Sequence, residues 1–280
     1  MSSIPSSRRS GPSGVSSVWR DGLSVSARHW LISVASVGLG IVVWHLAAAV
    51  LVRDPVLLPG PLTTIEVLIR YLKTPYPADG ETLIGHALVS MARVLVGFVF
   101  GSLIGIAVGA LMAGIRGFRA MVDPFIEITR PLPPLAFVPV LIVWFGIGEA
   151  PKIILIAAGI VPVMAISTAA GLDGVPKDML NCARCLGASE WYTMLHVRIR
   201  AAMPQIITGM RLSVGLSWTS IVAVEMIAAT SGLGFVILQA GQFLNTSLIF
   251  SGILIIAVLG LTIDAALRRL QWHLDPSMRP

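Results

Sequence analysis

Several stretches of this chain are long enough and apolar enough to cross a lipid bilayer, and that feature removes most fold classes. A helix needs about 20 apolar residues to span the hydrocarbon core. Such stretches run over residues 30–52, 81–113, 121–145, 153–172, 203–229 and 248–267. The whole composition agrees: 55% of the 280 residues are hydrophobic, 12% are charged, and the mean hydropathy is +0.86. A soluble domain carries about 25% charged residues. The expected fold class is therefore an all-α membrane protein of about six transmembrane helices.

The net charge of +6 does not point to nucleic acid, because the basic residues flank apolar runs and do not gather on one face. Residues 1–28, rich in Ser, Gly and Arg, read as a disordered cytoplasmic tail. The first apolar run, from about Trp30, is too long and too late for a cleaved signal peptide and reads as an uncleaved span. Residues 29–272 form the expected transmembrane domain and residues 273–280 a cytoplasmic C-terminal tail. With the N-terminus inside, Arg116, Arg119, Lys177, Arg184, Arg198, Arg200, Arg268 and Arg269 fall on the cytoplasmic side. Only Arg53, Arg70, Lys73 and Lys152 fall outside, as the positive-inside rule requires.

Two spans carry further information. Gly97, Gly101, Gly105 and Gly109 recur every four residues and share one helix ridge, which lets another backbone approach closely. The spacing leaves open whether that neighbour belongs to the same chain. The third span holds Pro124, Pro131, Pro133, Pro134 and Pro139. Prolines free backbone groups that lipid does not satisfy, so this span is expected to face the protein interior. Between the first two spans, Leu62–Lys73 reads as an amphipathic helix with Ile65, Leu68, Ile69 and Leu72 on one face.

The longest polar interruption, residues 173–202, reads as a helix, a turn at Gly187 and a second helix, suited to a soluble partner's groove. Charges at membrane depth are functional candidates because lipid penalises them. Glu225 either gates the pathway or pairs with a basic group, Arg211 or one on another span. Arg130 either attracts an anion in the pathway or pairs with Glu127, and Asp264 reads as interfacial. Pro134 joins Arg130 and Glu225 as a pathway candidate. Cys182 and Cys185 lack the second pair that a structural zinc site needs, and the five histidines share no ligand spacing, so no metal site is expected. His45 reads as a packing residue. No nucleophile–base set or carboxylate pair marks a catalytic residue. Trp30, Trp44, Trp144, Trp218 and Trp272 read mostly as interfacial anchors.

Residues 181–199 resemble the cytoplasmic coupling loop of ATP-binding-cassette importer permeases, whose pattern is Glu-Ala-Ala, three residues, Gly, nine residues, Ile-x-Leu-Pro. Ala183, Gly187, Val197 and Ile199 match that pattern; Asn181, Cys182 and Arg200 stand where it has Glu, Ala and Pro. Residues 130–139, 144–148 and 207–212 are similar to permeases of the nitrate, sulfonate and taurine group, and residues 224–235 are most similar to its taurine branch. The ordered resemblance covers about residues 58–274.

The resemblance implies a type I importer permease fold with a cytoplasmic coupling helix in a bacterial inner membrane. Ala183, Cys185, Leu186, Gly187, Ala188 and Ser189 would then meet the ATPase. It implies two ATPase subunits, a second permease copy forming a homodimer, and a periplasmic or lipid-anchored binding protein. ATP and magnesium would be bound by those ATPases and no cofactor by this chain, which lacks a Gly-x-x-x-x-Gly-Lys-Ser/Thr loop. The expected cargo is a small organosulfonate such as taurine. Nitrate, another alkanesulfonate or an aromatic carboxylate is the alternative within the fold. An ion-coupled secondary transporter and an intramembrane enzyme are the alternatives outside it. The chain shows no convincing internal repeat, which disfavours the former.

Overall fold

The structure is a computed structural model that describes residues 15–78, 80–129 and 131–274, with the backbone alone for residues 15–30. Among the described residues every regular element is helical. Five helices are long and apolar enough to cross a membrane, and a bent pair makes a sixth crossing if counted as one span. The chain divides into two units, residues 1–61 and 62–280.

Among its described residues the first unit has one helix, α1 (Val15–Leu46), that ends in a π-helical turn over Ala47–Val52. Residues 15–28 are thus helical backbone, where a disordered tail was expected. Within residues 1–28 proline occurs only at Pro5 and Pro12, so nothing in residues 15–28 forbids continuing the helix toward its N-terminus. Its apolar part, Leu31–Val52, is 22 residues long, enough to cross a membrane. Arg53, at φ +53°, turns the chain, and the Asp54 carboxylate accepts from Val56 N at 2.8 Å. The Trp44 indole donates to Pro59 O at 3.0 Å.

In the second unit α2 (Pro61–Lys73) is amphipathic, with a face that differs from the expected one. Val67, Leu68, Tyr71 and Leu72 pack on the core, whereas Ile65 and Ile69 are exposed. Thr64 is fully buried, its carbonyl accepting from Ser251 Oγ at 3.0 Å. The buried arc is therefore centred one position away from the purely aliphatic one.

α3 (Leu83–Gly114) starts under a Thr82 cap and lies along α6 (Glu149–Asp173). The glycine ridge makes that seam. A Cβ on Gly97 would sit 2.7 Å from Ile156 Cβ, and one on Gly101 would sit 2.9 Å from Ile160 Cβ. At Gly105 and Gly109 it would strike Met164, Val161 O and Ala165 O. The neighbour left open by the spacing is thus a helix of the same chain. α6 is also covered by α9 (Ile199–Ala228), where Gly209 faces Ser167 and Gly171 faces Gln205. Leu155, Ile156, Ile160, Met164 and Ala165 of α6 are consequently fully buried.

The proline-rich third span is α4 (Arg116–Thr129), a short 3-10 turn (Pro134–Phe137) and α5 (Val138–Phe145), with a 93° bend between its two halves. Three of the five prolines find a tolerant place in a helix start: Pro133 and Pro134 open the turn, and Pro139 lies in the first turn of α5. Pro124 lies inside α4. Within this single chain the span does not face the interior as expected. Ile126, Val138 and Leu141 are buried, while Val143, Trp144 and Phe145 are exposed. One chain does not supply enough helices to surround it.

α7 (Lys177–Cys185), α8 (Glu190–Tyr192) and a π-helical turn (Thr193–Arg198) precede α9. From Glu190 to Ala228 the chain is one uninterrupted helix of 39 residues. The polar interruption therefore has no separate second helix, because Pro204 lies within α9 without breaking it. α10 (Leu233–Gln242) and α11 (Thr246–Leu274) complete the unit.

Candidate functional site

The expected coupling residues and Glu225 lie at opposite ends of the helix from Glu190 to Ala228.

At the Glu190 end, backbone chemistry fixes a sharp turn. α7 closes with Gly187 N donating to Arg184 O at 2.9 Å and Ala188 N to Ala183 O at 3.0 Å. This paired closure needs a left-handed residue, and Gly187 supplies it at φ +81°. Ser189 then caps the next helix, its Oγ accepting from Tyr192 N at 3.2 Å. Arg184 and Glu190 pair across the turn at 3.0 Å. The corner presents Leu186, which is 88% exposed, and the first turn of the next helix presents Trp191, which is 73% exposed. A large aliphatic side chain left mostly bare at a turn is shaped for an external groove. The base is fixed to the membrane helices: Arg119 meets Asp173 at 2.6 Å, and Arg198 donates to Leu172 O at 3.2 Å. Ala183, Cys185, Leu186, Gly187, Ala188 and Ser189 are all brought to this corner. Cys182 and Cys185 are exposed free thiols, and no group of metal-ligating side chains occurs among the described residues.

At the Ala228 end, Glu225 is fully buried and fully used. It accepts from Ser90 Oγ at 2.8 Å, from Arg93 Nη1 at 2.7 Å and from Gly234 N at 2.9 Å. Arg93 also donates to Ser231 O at 2.7 Å and to Ser231 Oγ at 3.1 Å. Its Nε and Nη2 hold Glu149 at 2.5 and 2.7 Å, and Lys152 donates to Glu149 at 2.8 Å. His86 Nδ1 accepts from Gly232 N at 3.0 Å, so its other nitrogen donates to Tyr76 O at 2.9 Å. The turn between α9 and α10 is thus clamped to α3. Gly232, at φ +114°, lies against the Glu225 carboxylate and leaves no room for a side chain.

The basic partner of Glu225 is Arg93 on another span, one of the two expected options. Arg211 instead meets Asp264 at 2.8 Å, and Asp264 also meets Arg268 at 2.7 Å. Sequence reasoning missed Arg93, Glu149 and Lys152. The signal was present: His86, Ser90 and Arg93 continue the face of the glycine ridge at helical spacing. Pro134 lines an apolar cavity of about 280 Å³ with Phe137, Leu141, Ala158, Pro162 and Leu216. Arg130, and with it the alternative Glu127 pair, lies outside the described residues.

A membrane-embedded helical unit with a rigid helical corner projecting from it fits the comparison with known families. The profile described as binding-protein-dependent transport system inner membrane component matches residues 101–280. The chain belongs to this family. As a binding-protein-dependent permease it is the membrane component of an ATP-binding-cassette importer, a multi-pass transport subunit. The family works with ATPase subunits, which use ATP and magnesium, and with substrate-binding proteins. Among relatives of this permease, the taurine transport system permease protein TauC of Escherichia coli is 37% identical over 258 residues, covering 92% of each chain. A putative aliphatic sulfonates transport permease protein, SsuC of Bacillus subtilis, is 32% identical and covers 86% of each. The permease also shares its fold with an inward-facing form of the MetNI methionine transporter, at a TM-score of 0.63 and 21% identity, over 69% of this chain and 96% of that one.

Proposed function

We propose that this permease imports a small organosulfonate, with taurine as its cargo, and works as a homodimer with two ATPase subunits and a binding protein. The observation that carries the coupling role is the corner at Leu186-Gly187-Ala188: a left-handed glycine and a paired backbone closure hold an exposed Leu186 outward. A groove on each ATPase receives that corner, with Ala183, Cys185 and Ser189 around it. The termini lie in the cytoplasm, on the same side as the corner. ATP and magnesium are bound by the ATPases, since this sequence has no phosphate-binding Gly-x-x-x-x-Gly-Lys-Ser/Thr loop.

The broken third span carries the pathway. Its exposed apolar face, with Val143 and Trp144, is the surface that a second copy covers, and the cavity beside Pro134 opens along it. Sulfonate cargo is supported by the taurine and aliphatic-sulfonate relatives, which cover nearly the whole chain. Receptor docking and ATP-driven closure of the ATPases together favour the outward-open pathway, and hydrolysis resets it.

Vesicles containing this chain with its ATPase and binding protein test the proposal. Labelled taurine is expected to accumulate only with all three components and ATP. Uptake by this chain alone on an ion gradient overturns the importer mechanism, and ATP-driven uptake of nitrate in place of taurine overturns the cargo.

A further inference from the structure

Arg93 serves two carboxylates that differ in their access to water. Glu225 is fully buried and takes Nη1, an atom also held by Ser231 O. Glu149 takes the opposite edge, Nε and Nη2, as a two-pronged pair, and it also receives Lys152. The Glu149 side chain is 56% exposed, while those of the cations that hold it, Arg93 and Lys152, are only 6% and 5% exposed. Two buried cations are thus neutralised on one side by a carboxylate that stands in water.

Only the Glu149 side chain needs to withdraw: it is 56% exposed at the first residue of α6, whose next turn is anchored by buried Pro151 and Lys152. Arg93 would stay in place without Glu149, because Glu225 and Ser231 hold it from the inner side. With Glu149 docked, two cations face two carboxylates. With Glu149 withdrawn, one positive charge is left over, and a planar guanidinium edge and an ammonium point outward together. A guanidinium edge fits any oxyanion that offers two oxygens on one centre. Ile154 and Leu155, next along α6, line the apolar cavity beside Pro134.

We propose that the Nε–Nη2 edge of Arg93 and the Lys152 ammonium form an oxyanion site for the sulfonate head of the cargo, occupied by Glu149 as a built-in stand-in until the cargo displaces it. This rests on the organosulfonate reading above and on the α5–α6 junction lying outside. Glu149 acts as a competitor tied to the site, so wild-type affinity for a free anion is low and removing the carboxylate raises it.

The test is thermal unfolding of the purified transporter complex in detergent, titrated with methanesulfonate and with uncharged dimethyl sulfone. Glu149→Gln is expected to lower the half-saturating methanesulfonate concentration at least tenfold relative to wild type, with no response to the sulfone. Glu149→Gln combined with Lys152→Gln is expected to lose that gain. Equal half-saturation in wild type and Glu149→Gln, or a gain that survives the Lys152 change, overturns the site. If the double variant does not fold, Glu149→Asp decides the matter: its shorter carboxylate reaches the cations less well and gives an intermediate half-saturation. A response identical to wild type then overturns the site. A response of Glu149→Gln to nitrate but not methanesulfonate overturns the sulfonate assignment. Failure of the site and failure of the cargo reading remain separable. Taurine uptake by wild type with no methanesulfonate response in Glu149→Gln sinks the site alone. The response without taurine uptake keeps the site and sinks the cargo.

Discussion

At the Ala228 end of the long helix, Glu225 has no exposed surface and is met by donors from Ser90, Arg93 and Gly234; at the Glu190 end, Leu186 beside the turn is 88% exposed. The first arrangement spends its polar groups on its own chain. It ties α3, α6, α9 and the start of α10 to one guanidinium. The second leaves an apolar group uncovered and fixes only the backbone beneath it. The contrast separates what holds this protein together from what it offers to partners, and stability and binding assays should respond oppositely at the two ends.

The largest effect is expected at the buried end. Arg93→Met leaves Glu225 charged and unpaired in a site closed to water, which costs about 3–5 kcal/mol. Thermal unfolding in detergent measures it, and a matching Glu225→Leu change in the same chain should recover part of the loss. No recovery in the double variant would mean the two groups are not coupled. An intermediate effect belongs to the apolar seam between them. Gly105→Leu forces α3 off Met164 and Val161 at a cost of about 1–3 kcal/mol or more. Gly117→Leu, where a Cβ meets nothing within 4 Å, should stay within about 0.5 kcal/mol of wild type. Equal losses at the two glycines would break the seam argument. The smallest effect on stability belongs to Leu186→Ala, within about 0.5 kcal/mol. Its effect on binding should be large, about a tenfold weaker association with the ATPase measured by co-purification or biosensor, as for an anchor residue in a groove. Unchanged association would show that the apex does not dock.

Much of this division was legible in the chain. Glycines spaced by four announce a close seam because helix geometry stacks them, and Gly187 announces a turn because few other residues tolerate φ +81°. These are local signals. The clamp is non-local: Ser90 and Arg93 lie more than 130 positions from Glu225, and only packing of α3 against α9 brings them together. Glu225 alone was visible, as a charge with no neighbour in sequence to satisfy it. The α2 face was misjudged for a related reason. Counting aliphatic residues placed Ile65 inside, whereas the core accepts Thr64 and Tyr71 and leaves Ile65 out. Hydropathy ranks side chains; the shape of the facing helices chooses among them. The proline-rich span shows the same limit at a larger scale, since its expected interior is not supplied by one chain.

The unbroken helix from Glu190 to Ala228 also has a mechanical meaning. Its 39 residues make a rod of about 58 Å, nearly twice the thickness of the hydrocarbon layer. Such a beam does not stretch, so a push applied to the corner at Leu186 travels along it as tilt or twist. The π-helical turn over Thr193–Arg198 and Pro204, which has no N–H to donate, are where its regular ladder of hydrogen bonds is interrupted, and thus where it bends most readily. The rod then works as a crank with a compliant joint near the crank handle. Stiffening that joint would pass more of each stroke to the far end, and loosening it would let the handle turn while the rod stood still.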